Sequence, residues 1–395
     1  MSEIKVNSVK GVGASTAAIT LNNSDGTCTA TITNRSNRNL IINGSMQIAQ
    51  RGTTSTDGGY YTVDRFRVDY GGHDEAPTQS QVAVTSGGAY DSGFRKCLKV
   101  TNGNQTGSSG AGDYVQILTR LEAQNVANSG WNYLSTTSYI TLSFWIKSSV
   151  AQVYSGSLRA EDGTSRSFKF DTPSLTANTW TKVTKKISGN AGLSFDDDNN
   201  NGLSVYLFPF IGTTYTSSNS NTETWITSAT DTYANNMTST WWTTNDATLE
   251  VTGFQLELGS TPTDFDHKSF GEDLALCQRY TIAFDLLGSV DNFMVLCQGR
   301  WFSGTQAQCY LPFPNEMREP PTIDAANTSA VGTFFLNSSG TLGGAAMTSL
   351  VLNERSNKGM TFTCENGASG QTAGLGTTIY CDGTDDAKLV ITAEI

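Results

Sequence analysis

Short stretches of alternating apolar and polar residues recur along the chain from residue 39 onward. Residues 139–147 are typical, because every second side chain is apolar and lies on one side of an extended strand: Ile140, Leu142, Phe144 and Ile146. Residues 62–70 repeat this period of two, and polar, glycine-rich spacers such as residues 101–113 separate the stretches. The apolar run at 40–42 predicts a further strand, buried on both faces. These patterns predict an all-β fold, with a two-sheet sandwich of jelly-roll type over residues 39–260.

The last strand of this sandwich, residues 249–258, slips its alternation by one position at Gly253. A β-bulge at this glycine would keep five apolar side chains on one face, namely Leu249, Val251, Phe254, Leu256 and Leu258. We therefore predict a bulged strand that closes the jelly roll.

A connector with a short linking helix follows over residues 261–280. Ser269 and Glu272 form an S-x-x-E capping box, which predicts where the helix begins. Leu274 and Leu276 give this helix too little apolar surface to be stable alone. We therefore expect it to pack on a partner surface, and we predict that Leu274 and Leu276 lie in the interface of a homotrimer.

Two further β segments flank this core. Residues 281–395 alternate again and are predicted to form a C-terminal β-sandwich domain, in which the proline-rich segment 311–322 is an edge strand or an extended connector. Residues 1–38 have few alternating apolar positions, and Asp25 followed by Gly26 supplies a hairpin turn; the apolar positions are Ile4, Val6, Ile19, Leu21, Cys28, Ala30 and Ile32. So little apolar surface cannot close a core alone, so we predict an N-terminal β strip used for oligomerisation.

Composition excludes several classes of partner. Charged residues make up 15% of the chain, and the formal net charge is −11, which disfavours nucleic acid. No stretch approaches the roughly 20 apolar residues of a membrane span, and the N-terminus lacks an apolar signal region, so we expect no membrane insertion and synthesis in a reducing cytoplasm. The seven widely spaced cysteines are an odd number without C-x-x-C pairs, which argues against a disulfide framework or a zinc site.

Several of these stretches together resemble tail fibres and related receptor-binding proteins of tailed bacteriophages. They read NLIINGSMQIAQRG (39–52) with YYTVDRF (60–66), GFQLELG (253–259) leading into FDHKSFGEDLALCQRY (265–280), and FPNEMREPPT (313–322) with a final TAEI (392–395). The resemblance implies a homotrimer whose N-terminal part, residues 1–38, attaches to a virion tail or adaptor protein. It also implies a jelly roll similar to carbohydrate-binding modules, a distal β domain, and attachment to host-surface polysaccharide. Such a protein is made in the host cytoplasm and acts outside the cell as part of the virion tail.

Aromatic residues are the candidate glycan contacts, because a flat ring covers the apolar face of a pyranose. By strand parity Trp145 points away from the core residues of its strand, towards an exposed sheet face or a subunit contact. The polar stretch 213–247 holds four more candidates with few aliphatic neighbours: Trp225, Tyr233, Trp241 and Trp242. The alternative for these four is that the rings pin the loop onto the sandwich.

Residues 195–202 contain the string most like a metal site. Asp197, Asn199 and Asn201 match the first half of a calcium-binding loop, in which alternate oxygens converge on the ion. Phe208 occupies the twelfth position, where an EF-hand needs a glutamate, so the EF-hand reading fails. A looser Ca²⁺ site remains as an expectation, with an ordinary acidic turn as the alternative.

Motifs of common enzymes are missing from the sequence. With two histidines and no G-x-S-x-G, H-E-x-x-H or phosphate-binding loop, nucleophilic, zinc-protease and nucleotide mechanisms lack their parts. We therefore predict a non-enzymatic tail fibre or adhesin without a cofactor. Two alternatives stay open: a tailspike-like depolymerase, whose acid pair leaves no local motif, and a purely structural virion spacer.

Overall fold

The structure, a computed structural model, describes residues 6, 8–9, 19–21, 28–30, 38–216, 223–286, 294–338, 341–367, 369–381 and 387–395. Its strands, in chain order, are β1 (Ser8–Val9), β2 (Ile19–Leu21), β3 (Cys28–Ala30), β4 (Thr54–Ser55), β5 (Arg67–Gly71), β6 (Thr78–Ala83), β7 (Lys96–Thr101), β8 (Tyr114–Glu122), β9 (Tyr139–Ser148), β10 (Ser155–Ala160), β11 (Arg166–Asp171), β12 (Thr181–Ser188), β13 (Asn201–Ile211), β14 (Trp225–Thr227), β15 (Thr248–Leu258), β16 (Thr281–Leu286), β17 (Met294–Trp301), β18 (Ala307–Pro312), β19 (Thr322–Ile323), β20 (Phe335–Ser338), β21 (Thr341–Ala346), β22 (Ser349–Ser356), β23 (Gly359–Glu365), β24 (Gly376–Cys381) and β25 (Ala387–Thr392). Its α-helices are α1 (Gly88–Asp91), α2 (Ala123–Ala127), α3 (Thr240–Thr243) and α4 (Phe270–Gln278). No helix among these residues is both long and apolar enough to cross a membrane.

Two six-stranded antiparallel sheets form the jelly roll. Sheet I has the strand order β14-β11-β10-β13-β8-β5, and sheet II has the order β12-β9-β15-β7-β6-β4. The chain passes repeatedly from one sheet to the other, and one apolar core fills the space between them. In that core Phe144 of β9 stacks on Phe254 of β15, with ring centroids 4.8 Å apart. The predicted all-β jelly-roll sandwich is confirmed.

Strand β15 carries the predicted bulge. Its pairing with β9 shifts register between Thr252 and Gln255, and Gly253 between them has a φ of 67°. A β-carbon at Gly253 would stand 2.6 Å from the ring of Phe94, so both the backbone angle and the space favour glycine. The bulge keeps the apolar side chains on the core side, where Leu249, Val251, Phe254 and Leu256 are buried and Leu258 packs against them.

Residues 39–46 form a turn, and the prediction of a buried strand here is wrong. The side chain of Asn39 donates to the Phe254 carbonyl (2.9 Å) and accepts from the Leu256 amide (3.0 Å). Asn43, with a φ of 57°, donates to the carbonyl of Asp64 (2.9 Å). Two backbone hydrogen bonds to β15 add to these contacts, from the Leu40 amide to the Leu256 carbonyl and from the Phe254 amide to the Gly44 carbonyl (both 2.9 Å). The segment is therefore held against β15 without extending sheet II.

A second β sandwich follows α4, as predicted. Sheet III has the order β16-β25-β19, and the seven-stranded sheet IV has the order β21-β20-β24-β17-β18-β23-β22. Trp301, Phe362 and Leu389 lie fully buried in the core that the two sheets share. Strand β18 ends at Pro312, and most of the proline-rich segment is the connector that leads to β19.

The joint between the two sandwiches holds the predicted capping box. The Ser269 hydroxyl accepts from the Glu272 amide (3.3 Å), and the Glu272 carboxylate accepts from the Ser269 amide (2.9 Å). Buried or half-buried ion pairs and one cation–π contact cross this joint: Arg51 with Asp324 and Glu394, Arg65 with Glu394 and with the Tyr280 ring, and Arg279 with Glu122.

Three short strands near the N-terminus pair as a small antiparallel sheet in the order β1-β2-β3. Val6 and Val9 are exposed there, at 44% and 50%. Ile4, Ile32 and the turn predicted at Asp25 and Gly26 lie outside the described residues. Oligomerisation through this strip stays a prediction.

Candidate functional site

A cleft of about 440 Å³ opens on the outer face of sheet II. Trp145 lies at its base on β9, and its side chain points away from the core, as strand parity predicts. Lys182 of β12 and Thr252 of β15 are its direct neighbours in the strand register. Three adjacent strands therefore form a rigid floor beneath the indole ring.

An aromatic wall closes one side of the cleft. The ring of Phe94 packs edge-on against Phe265 at 4.8 Å, and the imidazole of His267 lies 5.1 Å from Phe94. His267 Nε2 is 3.1 Å from the carbonyl of Ser92, which ties the connector to the loop after α1. The wall thus combines the segment that follows α1 with the connector that precedes α4.

Charged groups surround the rings. Asp91, Asp264 and Lys182 line the cleft and are exposed. Within the described residues no ion pair or side-chain hydrogen bond engages the two carboxylates or the Lys182 amine. Behind the wall, burial acts to raise the pKa of Asp266, but the hydrogen bond and charge of Lys268 outweigh it and lower that pKa.

This arrangement has the chemistry of a sugar site. The Trp145 indole is partly exposed, so it can cover the apolar face of a pyranose, while carboxylates and an amine can take its hydroxyls. Gly88 lies so close that a β-carbon there would stand 2.6 Å from the indole, which holds the ring in place from one end. Trp145 and Lys182 lie on strands, which preorganises this part of the cleft for binding.

The four loop candidates do not join Trp145. Trp241 and Trp242 are 0% and 2% exposed and belong to the jelly-roll core, so the expectation that they contact a glycan is corrected. The reason is that their rings fill space between the sheets: Trp242, for example, packs against Phe210 with centroids 5.2 Å apart. The alternative reading, rings that pin the loop to the sandwich, describes both residues.

Trp225 and Tyr233 lie on sheet I and the segment that follows β14. Trp225 is buried, and its indole N–H donates to the Ser188 carbonyl at 2.8 Å, so it too serves packing rather than an open site. Tyr233 is half-buried under the guanidinium of Arg159, which lies 4.0 Å from its ring centroid. Neither residue lines the Trp145 cleft.

The predicted calcium-loop residues have separate protein partners. Asp197 accepts from the side chain of Asn128 (2.7 Å), and the Asn199 amide donates to the Arg318 carbonyl (2.7 Å) across the joint. Asn201 donates to the Ser204 hydroxyl (2.9 Å). In the part of the chain that the structure describes, no group of three or more His, Cys, Asp or Glu side chains is placed to hold a metal ion. A looser Ca²⁺ site at Asp197 stays a prediction.

Helix α4 presents apolar side chains to solvent. Phe270 is 58% exposed and Leu276 is 36% exposed, whereas Leu274 is half-buried and Cys277 is buried. Two large exposed apolar residues on nine helical positions leave room for a partner surface. The trimer interface at Leu274 and Leu276 stays a prediction.

Sequence reasoning missed most of the cleft. Asp91 and Lys182 come from segments far apart in the chain, and neither carries a local motif. Lys182 had one usable signal, because β12 alternates in phase with β9 and places Lys182 on its outer face.

The comparisons with known proteins give only distant structural likenesses. No family model and no curated protein matches the chain. A putative sugar-binding protein from Bacteroides thetaiotaomicron is 13% identical, with 56% of this chain and 100% of that chain covered, at a TM-score of 0.31. The N-terminal cellulose-binding domain of Cellulomonas fimi β-1,4-glucanase C is 11% identical, with 55% and 99% covered, at a TM-score of 0.27.

A third similar structure is the enzymatically active domain of bacteriophage CBA120 tailspike protein 4. It is 10% identical, with 56% of this chain covered, at a TM-score of 0.30. The match spans only 22% of that tailspike domain. Likenesses at these TM-scores carry no inference about ligand or activity.

Proposed function

We propose that this protein is a non-enzymatic attachment protein of a bacteriophage tail, and that it binds host-surface polysaccharide in the Trp145 cleft. One observation carries the proposal: a partly exposed indole shares an open cleft with the exposed groups of Asp91, Asp264 and Lys182. The cleft volume of about 440 Å³ lies within the range of small-ligand sites, about 300–1,000 Å³. The resemblance of six sequence stretches to phage receptor-binding proteins supports the choice of polysaccharide.

A glycan array tests the binding site. The full chain is applied to printed bacterial capsular polysaccharides and O-antigens, and the affinity for each bound glycan is then measured in solution. We expect Trp145→Ala to weaken binding about 30-fold, since removing a central aromatic contact costs about 2 kcal/mol. Trp145→Phe keeps a ring and should retain most of the affinity.

Trp180→Ala is the matched control. Trp180 is half-buried in the same apolar cluster as Trp145 but does not line the cleft. Its loss should disturb local packing to a similar extent while leaving glycan affinity within about threefold, a change of well under 1 kcal/mol. Equal binding by wild-type protein and Trp145→Ala would remove the cleft from the proposal.

The virion role includes a homotrimer attached through residues 1–38. Sedimentation velocity should give three times the 42.3 kDa chain mass at micromolar concentration, and a monomer would contradict the trimer. Gold-labelled antibodies against the protein should mark the tail of intact virions. Deleting residues 1–38 should abolish incorporation into virions while glycan binding by the isolated protein persists.

A depolymerase is the second candidate, because two carboxylates, Asp91 and Asp264, line the same cleft. Hydrolysis of a glycosidic bond uses such a pair, one as acid and one as base or nucleophile. Each polysaccharide bound on the array is therefore incubated with the protein and assayed for new reducing ends. Their release, and its loss in Asp91→Asn or Asp264→Asn, would replace the binding-only function with an enzymatic one.

A further inference from the structure

We propose that the outer face of sheet IV holds a second glycan-binding site, centred on Tyr310, in the C-terminal sandwich. Tyr310 is 54% exposed, and a groove of about 440 Å³ runs beside its ring. The ligand class is an oligosaccharide that offers a C–H face to the ring and hydroxyls to its polar neighbours.

The strand register gathers the site on one face. Tyr310 of β18 pairs with Gln298 of β17 on one side and with Thr361 of β23 on the other. Two residues along, Gln308 pairs with Arg300. Residues at these register positions share the outer face, while Cys309, which lies between Gln308 and Tyr310 on β18, is buried.

A glycine lets the tyrosine ring lie along the sheet. A β-carbon at Gly359, at the start of β23, would stand 2.4 Å from the Tyr310 hydroxyl oxygen and 2.8 Å from the ring carbon that bears it. The hydroxyl end of the ring therefore lies against the glycine, and the side chain as a whole is 54% exposed. A flat, supported and exposed ring is the element that stacking on a sugar requires.

Amide and guanidinium side chains stand beside the ring. Within the described part of the chain, no side-chain hydrogen bond or ion pair engages Gln298, Arg300 or Gln308. In the jelly roll, by contrast, Gln79 and Gln81 donate to backbone carbonyls at 2.7 Å. The strands thus fix the backbone positions of these donors and acceptors, and the side chains are available to a ligand. Ordering them on binding has an entropic cost that the stacking contact must exceed.

The lining of the groove favours a sugar over another protein chain. A standard protein interface buries about 800 Å² on each side, and its core is apolar. The groove has one aromatic ring among amides and hydroxyls, with one cation, Arg300, and one anion, Glu354, along its lining. Those charges balance, which fits a polyhydroxylated ligand of low charge.

This second site takes the same class of ligand as the Trp145 cleft, and in that respect it rests on the proposed function. The two sites lie on different sandwiches and share no residue. Together they would engage one polysaccharide chain or two neighbouring chains, so that the second contact forms at high effective concentration.

The test compares single and double variants of the full chain on the same printed capsular polysaccharides and O-antigens. We expect Tyr310→Ala to weaken binding at least tenfold for a subset of glycans that Trp145→Ala affects less, and Tyr310→Phe to retain that binding. Phe302→Ala is the matched control, because Phe302 is also 54% exposed on the same sandwich but does not line the groove. Circular dichroism and sedimentation velocity accompany each variant.

Each outcome decides the proposal. Loss of binding in Tyr310→Ala with unchanged sedimentation supports the second site. Wild-type affinity of Tyr310→Ala for every glycan overturns it, and if Trp145→Ala alone then abolishes binding, the proposed function survives without the second site. A change of sedimentation in Tyr310→Ala makes the face an interface between copies and also overturns it. No binding by the wild-type chain to any printed glycan overturns both proposals.

Discussion

Replacing Arg279 with alanine tests what holds the two sandwiches together. Glu122 ends β8, and its side chain is 0% exposed. It accepts two hydrogen bonds from Arg279, at 2.6 Å from Nε and 2.7 Å from Nη2, and one from the Tyr280 hydroxyl. Burial acts to raise the pKa of Glu122, but these hydrogen bonds outweigh it and the pKa is lowered. The carboxylate therefore stays charged in a place that water does not reach.

The expected loss of unfolding free energy depends on the buried Glu122 carboxylate, which Arg279→Ala leaves without its charged partner. Removing one partner of a fully buried pair costs about 3–5 kcal/mol. The Arg279 side chain is 33% exposed, and Tyr280 and Gln124 still donate to Glu122, so we expect about 2 kcal/mol, discounted for solvent screening. For a domain of the size of the jelly roll, that loss corresponds to a fall in melting temperature of about 4–8 °C.

Calorimetry at several pH values distinguishes loss of the ion pair from a general loss of packing. Because the pKa of Glu122 is lowered in the folded state, the pair stabilises the fold above the unfolded pKa and loses that effect as pH falls through the folded value. The difference between wild type and Arg279→Ala should therefore shrink below about pH 4. In the Glu122→Gln background Arg279→Ala should cost much less. An equal cost in both backgrounds, or no pH dependence, would refute the role of the pair.

Three further predictions concern single positions. Burial, only partly offset by the charge of Arg51, raises the pKa of Asp64 to about 6, so the wild-type fold loses stability as pH rises from about 4 to 6. Over that window the unfolding free energy of Asp64→Asn should rise relative to wild type by up to about 3 kcal/mol. Parallel curves of unfolding free energy against pH, measured with urea, would contradict this prediction. Gly253→Val should lower the melting temperature by several degrees, because of the φ of 67° and the close Phe94 ring, whereas Gly271→Ala on exposed α4, with nothing near a new β-carbon, should not. Leu276→Asp should weaken the trimer in sedimentation without changing the circular dichroism spectrum, since the side chain is 36% exposed; an unchanged trimer would remove α4 from the interface.

Local sequence signals predicted the features that depend on a few adjacent residues. The slip of alternation at Gly253 predicted the bulge in β15, because the period of a strand is fixed by its own backbone. The Ser269 and Glu272 pair predicted the start of α4, because a capping box forms between residues only three positions apart. Trp145 was placed on the outer face of β9 by parity alone.

Sequence patterns did not predict the features that depend on contacts between residues far apart in the chain. Trp241 and Trp242 stand in a polar stretch, so their neighbours in the chain indicate an exposed loop, yet their rings fill the core between the two sheets. Residues 40–42 are apolar enough for a strand, but the amides of Asn39 and Asn43 bind backbone groups of other segments and fix a turn. In each case the deciding contact joins residues far apart in sequence, which periodicity cannot register.

The stretches that carry the phage resemblance meet at the joint between the sandwiches. Arg51 and Arg65 come from the first two stretches, and both pair with Glu394 of the final TAEI. Arg318, from the proline-rich stretch, donates to the carbonyls of Ala393 (2.8 Å) and Asn199 (3.1 Å).

Residues of these stretches therefore fix the two β sandwiches to each other. None of the residues that line the Tyr310 groove belongs to these stretches. Of the Trp145 cleft they include only the wall at Phe265 and His267 and the bulge at Gly253. On the proposed function, the residues that select the ligand lie outside the resemblance, such as Trp145, Lys182 and Tyr310. On that proposal, we expect a chain with the same joint and different residues at these three positions to keep the architecture and bind a different glycan.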